Sequence, residues 1–240
     1  MKRASLMFAW LVLLSVAPGR RAFAQSVADP APSAPSPHSS LSPLATATSR
    51  TVDGVAARIE DDILTESELR ELAAFQTLVD GKAKPRADLI RELADQWIIR
   101  SEATATKFPR PSPETLDNAY AEFVKQFASP DDFKQHCREV GLTDAAVRRM
   151  LEQQVYLSRF LEYRFRPAAQ VDEKQIEAYY RDEFSPQLQK RGEAVPPLEN
   201  VEETIREVLV QRIISERANQ WLDDARAHLK IDVVPQDGGK

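Results

Sequence analysis

The stretch at residues 198–234 constrains the fold of this chain more than any other. Val201, Ile205, Val208, Leu209, Ile213, Ala218, Trp221, Leu222, Ala225 and Leu229 recur mostly at three- and four-residue steps, which predicts a long helix with one apolar stripe. Ile231, Asp232, Val233 and Val234 follow as a short strand stopped by Pro235, a residue that offers no backbone donor to a ladder. So short a strand is not a stable sheet by itself and needs an earlier partner. The best partner is Val55–Ile59, where Val55, Ala57 and Ile59 alternate with Ala56, Arg58 and Glu60, the period of a strand with one covered face. That pairing predicts a domain in which the two ends of the exported chain meet.

Export itself is expected from the N-terminus. Lys2 and Arg3, an apolar core over residues 6–17 and the small-x-small site Ala22-Phe23-Ala24 are the three parts of a secretory signal peptide, predicted to span residues 1–24. The apolar core falls short of the roughly 20 residues that span a bilayer, so cleavage is expected over a retained membrane anchor. Arg20 and Arg21 follow the core, which argues against a twin-arginine signal, and no cysteine near the site supports lipidation. The expected location is the periplasm, with no stable membrane insertion after cleavage. Loss of Lys2, Arg3, Arg20 and Arg21 removes four cations and no anion, so the formal charge moves from -5 to -9. Such a balance opposes general nucleic-acid binding. The lone Cys137 has no internal disulfide partner, so the apolar core must hold the exported fold together, and Cys137 is expected to be shielded from oxidants.

Residues 25–50 are rich in Pro, Ser and Ala and nearly free of large apolar side chains, a composition that predicts a disordered linker. A similar tail is expected over 235–240. The folded part, 51–234, carries helical spacing almost throughout and should be mainly helical with a small sheet. Asp61-Asp62 marks a turn and Ile63-Leu64 a returning strand. Thr65 with Glu68 forms a capping-box signature, and Asp80-Gly81 ends that helix. Pro85 is placed in the first turn of the next helix, where Leu89, Ile90, Leu93, Trp97 and Ile98 form an apolar stripe; core packing is the expected role of Trp97. Ser112-Pro113-Glu114 and Ser129-Pro130-Asp131 start two more helices, with Gly141 as a left-handed stop. Thr143 opens a helix to about Phe165, and Asp172 caps a short one that carries Ile176, Tyr179, Tyr180 and Phe184. Residues holding Pro186, Gly192, Pro196 and Pro197 are read as a polar connection.

The helix after Thr143 is apolar over an unusually wide arc. Val147, Met150, Leu151, Leu157 and Leu161 line one side, and Tyr156, Phe160 and Tyr163 crowd the next. It is either the central helix of a bundle or the wall of a groove. On the groove reading, Tyr156, Phe160 and Tyr163, with Tyr120, Phe123 and Phe127 as neighbours, are the candidate binding residues for a polypeptide.

Catalytic chemistry needs groups that converge, and few are offered. His38, His136 and His228 are scattered, and His136 and Cys137, adjacent on a helix, point in different directions. No cluster suits zinc and no Gly-rich loop suits phosphate. Acidic pairs such as Asp131-Asp132 and Asp223-Asp224 read as caps or solvated faces. The expectation is no catalytic residue, no metal and no cofactor.

Several segments resemble the SurA family of periplasmic chaperones. Residues 55–69, VAARIEDDILTESEL, look like the hairpin and helix start that open that family. Residues 89–103, LIRELADQWIIRSEA, are similar to its second helix, and residues 172–180, DEKQIEAYY, to the helix ahead of its isomerase module. The ending, with Ile205-Arg206, Trp221-Leu222, Arg226 and Ile231-Asp232-Val233, resembles the helix and strand that close its chaperone core. Relatives commonly carry parvulin-type prolyl isomerase domains between the last two motifs. Here only residues 185–197 stand in that place, against the roughly 50 residues of even a small domain. The resemblance therefore implies a multi-helix chaperone core split into 51–170, a connection at 171–197, and 198–234. Its implied role is a non-catalytic chaperone that holds unfolded exported or outer-membrane polypeptides. A residual isomerase-related foldase and a structural subunit of an envelope complex are the alternatives.

Overall fold

A computed structural model describes residues 53–235, which all fall within one compact unit. The expected signal peptide and linker, and all of the expected tail but Pro235, lie outside the described residues. The elements run β1 (Val55–Ile59), β2 (Asp62–Thr65), α1 (Glu66–Asp80), α2 (Arg86–Ala105), α3 (Pro113–Val124), α4 (Pro130–Glu139) and α5 (Asp144–Phe165). After a short 3-10 turn come α6 (Glu173–Tyr179), a π-helical segment (Tyr180–Phe184), α7 (Ser185–Arg191), α8 (Leu198–His228) and β3 (Ile231–Val233). The fold is mainly helical, with one antiparallel sheet in the order β2-β1-β3.

The predicted junction of distant segments is present. Ala57 pairs with Val233, Arg58 with Asp232 and Ile59 with Ile231. The ladder extends one residue past β3, where the Val234 amide donates to Ala56 O at 3.0 Å. At the other end the Glu60 amide donates to Lys230 O at 3.0 Å, and the Lys230 amide donates to Glu60 Oε1 at 2.8 Å. Glu60 holds a left-handed φ of 51° to do this. The hairpin turn thus falls one residue before the predicted Asp61-Asp62, and Asp62 is already in β2.

Capping chemistry fixes the helix starts as the sequence predicts. Thr65 Oγ1 accepts from the Glu68 amide at 3.2 Å while Glu68 Oε2 accepts from the Thr65 amide at 2.8 Å, satisfying two orphan donors at once. Asp172 forms the same reciprocal box with Gln175 at α6, while Ser112, Ser129 and Thr143 cap α3, α4 and α5 by accepting from the amide three residues on. Gly81 at φ 72° closes α1, a left-handed position that a Cβ would strain. Pro85 sits one place earlier than predicted, as the residue preceding α2.

Packing makes α5 the central helix. Val147 and Leu151 enter one cluster with Phe75, Phe123, Phe133 and Cys137, while Leu157, Phe160 and Leu161 enter another with Ile98, Ile99, Ala218 and Leu222. A further cluster joins β1 and β2 to α1 and α2 through Ala57, Ile59, Leu72 and Leu93. Trp97 lies between the second and third of these, and its indole N–H reaches Asp62 at 2.7 Å. Cys137 is buried, as expected.

Two expectations for the C-terminal third are corrected. The buried stripe of α8 runs through Ile205, Val210, Ile214, Ala218 and Leu222. Leu209 and Ile213, predicted inside, are half-buried beside it. The stripe changes face because its two parts have different neighbours: Val210 and Ile214 pack with Ala169, just past α5, while Ala218 and Leu222 pack with Ile98, Leu157 and Phe160 of α2 and α5. The supposed polar connection is also largely helical. Pro186 has no amide for the Asp182 carbonyl, so a straight helix would break there. Instead the Ser185 amide donates to Tyr180 O, a wider turn that lets the helix continue to Arg191.

Candidate functional site

The candidate binding residues do not share one face. Tyr120, Phe123 and Phe127 belong to the α3–α4 cluster, and Tyr156 and Phe160 belong to the α2–α5–α8 cluster. Phe123 stacks on Phe75 with ring centroids 5.8 Å apart and meets Phe133 edge-on at 6.0 Å. Phe127 packs on Phe133 at 5.2 Å. The Tyr120 hydroxyl donates to Asp144, and the Arg148 guanidinium covers its ring at 3.7 Å. Burial, followed by the Asp144 carboxylate, pushes the Tyr120 phenol up to about 12. These side chains tie α3, α4 and α5 together.

On α5 the three predicted aromatics have different fates. Phe160 is 1 % exposed and Tyr156 is buried, whereas Tyr163 is 66 % exposed. The wide apolar arc therefore serves several neighbours, α1, α3 and α4 through Val147 and Leu151 and α2 and α8 through Leu157, Phe160 and Leu161, and of its three aromatics only Tyr163 is largely in solvent.

Sequence reasoning missed Phe108, the hub of this group. Its ring lies 5.8 Å from Tyr156, 5.5 Å from Phe160 and 5.3 Å from Tyr163. The exit from α2 places it there: Lys107 takes a left-handed φ of 54°, and the Phe108 amide donates to Ala103 O at 2.8 Å. The Lys107 amide bonds Thr104 O at 3.0 Å, completing a Schellman end in which the next apolar residue folds back on the helix. The available signal was an apolar residue just before Pro109, obscured because Lys stands where Gly usually does. Arg110 lies over the Tyr156 ring at 5.5 Å and within 3.7 Å of Glu152. Phe108, Tyr163 and Arg110 make a small aromatic and cationic patch around Tyr156, and the exposed Arg159 lies one helical turn before Tyr163 on α5.

A second region of incomplete burial is the arm formed by α6, the π segment and α7. Tyr179, Tyr180, Phe184 and Leu188 are all half-buried there. Tyr180 stacks on Phe184 at 6.0 Å, and its hydroxyl donates to Pro196 O at 2.8 Å. Glu183 and Arg212 form a two-pronged pair at 2.9 Å that ties the arm to α8, and the guanidinium holds the Glu183 carboxyl below its usual range.

A cleft of about 60 Å³ lies between α1, α2 and α5. Glu71 and Arg149 cross it at 2.6 Å, and Gln153 donates to Gln96 at 2.8 Å. It has room for water and not for a polypeptide. Where α2 meets α8, Arg226 bonds both Asp95 and Asp223. Burial pushes the Asp95 carboxyl up despite this partner.

Among the described residues, no cluster of three or more His, Cys, Asp or Glu side chains could hold a metal ion. His136 and Cys137 diverge, since the imidazole Nδ1 faces Asp132 O at 2.9 Å while the thiol lies in the core. Burial raises the Cys137 thiol above its ordinary value, which makes it a poor nucleophile at neutral pH. No described helix is long and apolar enough to cross a membrane.

These features define a class: a mainly helical protein closed by a three-stranded antiparallel sheet. Compared with known proteins, the chain matches no family model and no curated protein.

Proposed function

We propose that this protein is a SurA-like periplasmic chaperone that holds unfolded exported polypeptides, outer-membrane precursors among them, and does not turn them over. The observation that carries the reading is the pairing of β1 with β3. It brings the resembling segments near both ends of the described residues into one sheet, and only residues 185–197, which are α7 and the coil after it, stand where members of the resembled family commonly carry an isomerase. Holding an unfolded chain needs apolar surface that is accessible yet flanked by charge. The Phe108–Tyr163 patch and the half-buried aromatics of the arm offer this; the buried rings of α3 and α5 do not.

The test is the aggregation of a denatured outer-membrane protein diluted into buffer with the full-length chain. The expected result is suppression at about equimolar protein, together with no acceleration of a proline-limited refolding reaction. Undiminished aggregation would refute holding, and acceleration at substoichiometric protein would refute the non-catalytic assignment.

A further inference from the structure

The helices α6 and α7 are each seven residues long but are held in place in different ways. α6 is anchored by an apolar side chain, Ile176, which is 1 % exposed. Asp172 and Gln175 close a reciprocal cap at its start, and the Arg212 guanidinium of α8 lies 5.2 Å above its Tyr179 ring. α7 contains no buried side chain, and neither does the π segment that leads into it. Its close neighbour is that π segment and not α8. What fastens this stretch to the rest of the fold is polar. Glu183 accepts both prongs of Arg212 at 2.9 Å, and the two side chains are 43 % and 45 % exposed. The Tyr180 hydroxyl donates to Pro196 O at 2.8 Å, which ties the π segment to the coil before α8. Working against these two bonds, Ser185 Oγ is buried at the start of α7 with no hydrogen-bond partner among the described residues, an arrangement that costs stability.

We infer that residues 180–193 are a latched flap: α7 comes away and unwinds while α6 and α8 stay in place, with the Glu183–Arg212 pair and the Tyr180–Pro196 bond as its catches. Detachment and unwinding go together, because a helix of two turns does not persist alone in water. One hinge is the π segment, the wider turn that Pro186 imposes. The other is the exposed run Gly192-Glu193-Ala194, entered through Gly192 at φ 72°. Opening breaks into no apolar core, since no residue from 180 to 193 is buried. It frees the half-buried side chains of Tyr180, Phe184 and Leu188 and gives the Ser185 hydroxyl access to water. Sparse burial held by polar ties near solvent is the pattern of segments that open far below the cost of global unfolding. The flap goes beyond the holding function proposed above and does not depend on it, because every readout below comes from the free protein.

Native-state amide exchange on the full-length chain is the test. The Gln189 and Lys190 amides of α7 should be protected about a hundredfold less than those of Ala218 and Leu222 in α8, and their exchange should respond little to sub-denaturing urea, the mark of a small opening. The Tyr179 amide of α6 should remain better protected than either α7 amide. Glu183→Gln and Tyr180→Phe each release one catch and should speed α7 exchange about three- to fivefold, the scale of one half-exposed pair or one hydrogen bond. Neither should change exchange at Ala218. Ser185→Ala removes the unmet hydroxyl and should slow α7 exchange by about fivefold. An α7 that exchanges only with global unfolding, with the urea dependence of α8, would overturn the inference. So would catch variants that speed α8 as much as α7, since those bonds would then hold the whole fold and not a flap.

Discussion

The α3–α4 aromatic cluster and the Phe108 cluster are built from the same kinds of side chain at similar helical spacing, yet the first is closed except at its half-buried edge, Tyr120 and Phe127, while the second leaves Tyr163 largely in solvent. In the first, Phe123 is surrounded by Phe75, Phe127 and Phe133 from three neighbouring segments. In the second, Phe108 covers Tyr156 and Phe160 but leaves Tyr163 at the rim. Spacing along one helix sets which side chains share a face. Whether that face is core or surface depends on what the rest of the chain lays over it.

The contrast fails most visibly if its buried member is removed. Phe160→Ser is expected to cost about 3–5 kcal/mol, the loss of a fully buried aromatic together with the cavity left behind. Urea unfolding would measure it. A stability close to that of the parent protein would mean that Phe160 is not core and would return it to the list of binding residues.

A smaller effect is expected at the junction of α2 and α8, the helices between which Phe160 is buried. The Arg226 side chain is 15 % exposed and that of Asp95 25 %. Arg226→Ala is expected to cost about 2 kcal/mol at neutral pH, below the full value for a buried pair because Asp95 keeps some solvent. The sign of its pH dependence follows from the Asp95 carboxyl, which burial raises above its ordinary value. A carboxyl raised in the fold contributes stability that is present below its unfolded value and lost as pH climbs through the folded one. Without Arg226 the charged form is worse still, so the deficit should grow from acid to neutral pH. A deficit independent of pH would show that Arg226 acts through packing alone.

The clusters differ again in how their aromatics are delivered. Phe108 depends on Lys107 holding a left-handed conformation that costs a side-chain-bearing residue about 1–2 kcal/mol. Lys107→Gly should therefore stabilise the protein by about 1 kcal/mol or less, since glycine gives back part of the gain as unfolded-chain entropy. Destabilisation would mean that the Lys107 side chain, exposed in this structure, has a packing role.

Much of the fold was legible because local signals and global needs agreed. The capping residues Thr65, Ser112, Ser129, Thr143 and Asp172 stand at helix starts, and the orphan strand at Ile231 found its partner at Ile59. What was illegible depended on exceptions to those signals. Pro186 belongs to a stretch that reads as a polar connection and is absorbed by a π turn; Lys107 carries no glycine-like signal and yet takes the left-handed position that ends α2. The candidate site suffered most. An aromatic run on α5 is the same pattern whether α8 covers it or not, and the sequence cannot say where α8 crosses.

The least disruptive change sharpens the contrast between the clusters most. Tyr163 packs its ring on Phe108 and is 66 % exposed. Tyr163→Ser should leave stability within about 0.5 kcal/mol of the parent, as exposed substitutions do. If the open rim of the Phe108 cluster contacts clients, the same variant should suppress aggregation less well, while Phe127→Ser, at the half-buried edge of the α3–α4 cluster, should lose stability before it loses holding. A Tyr163→Ser protein that folds and holds like its parent would separate exposure from function at this patch. The contacts that the proposed holding requires would then lie on the arm, where Tyr179, Tyr180, Phe184 and Leu188 are likewise incompletely buried.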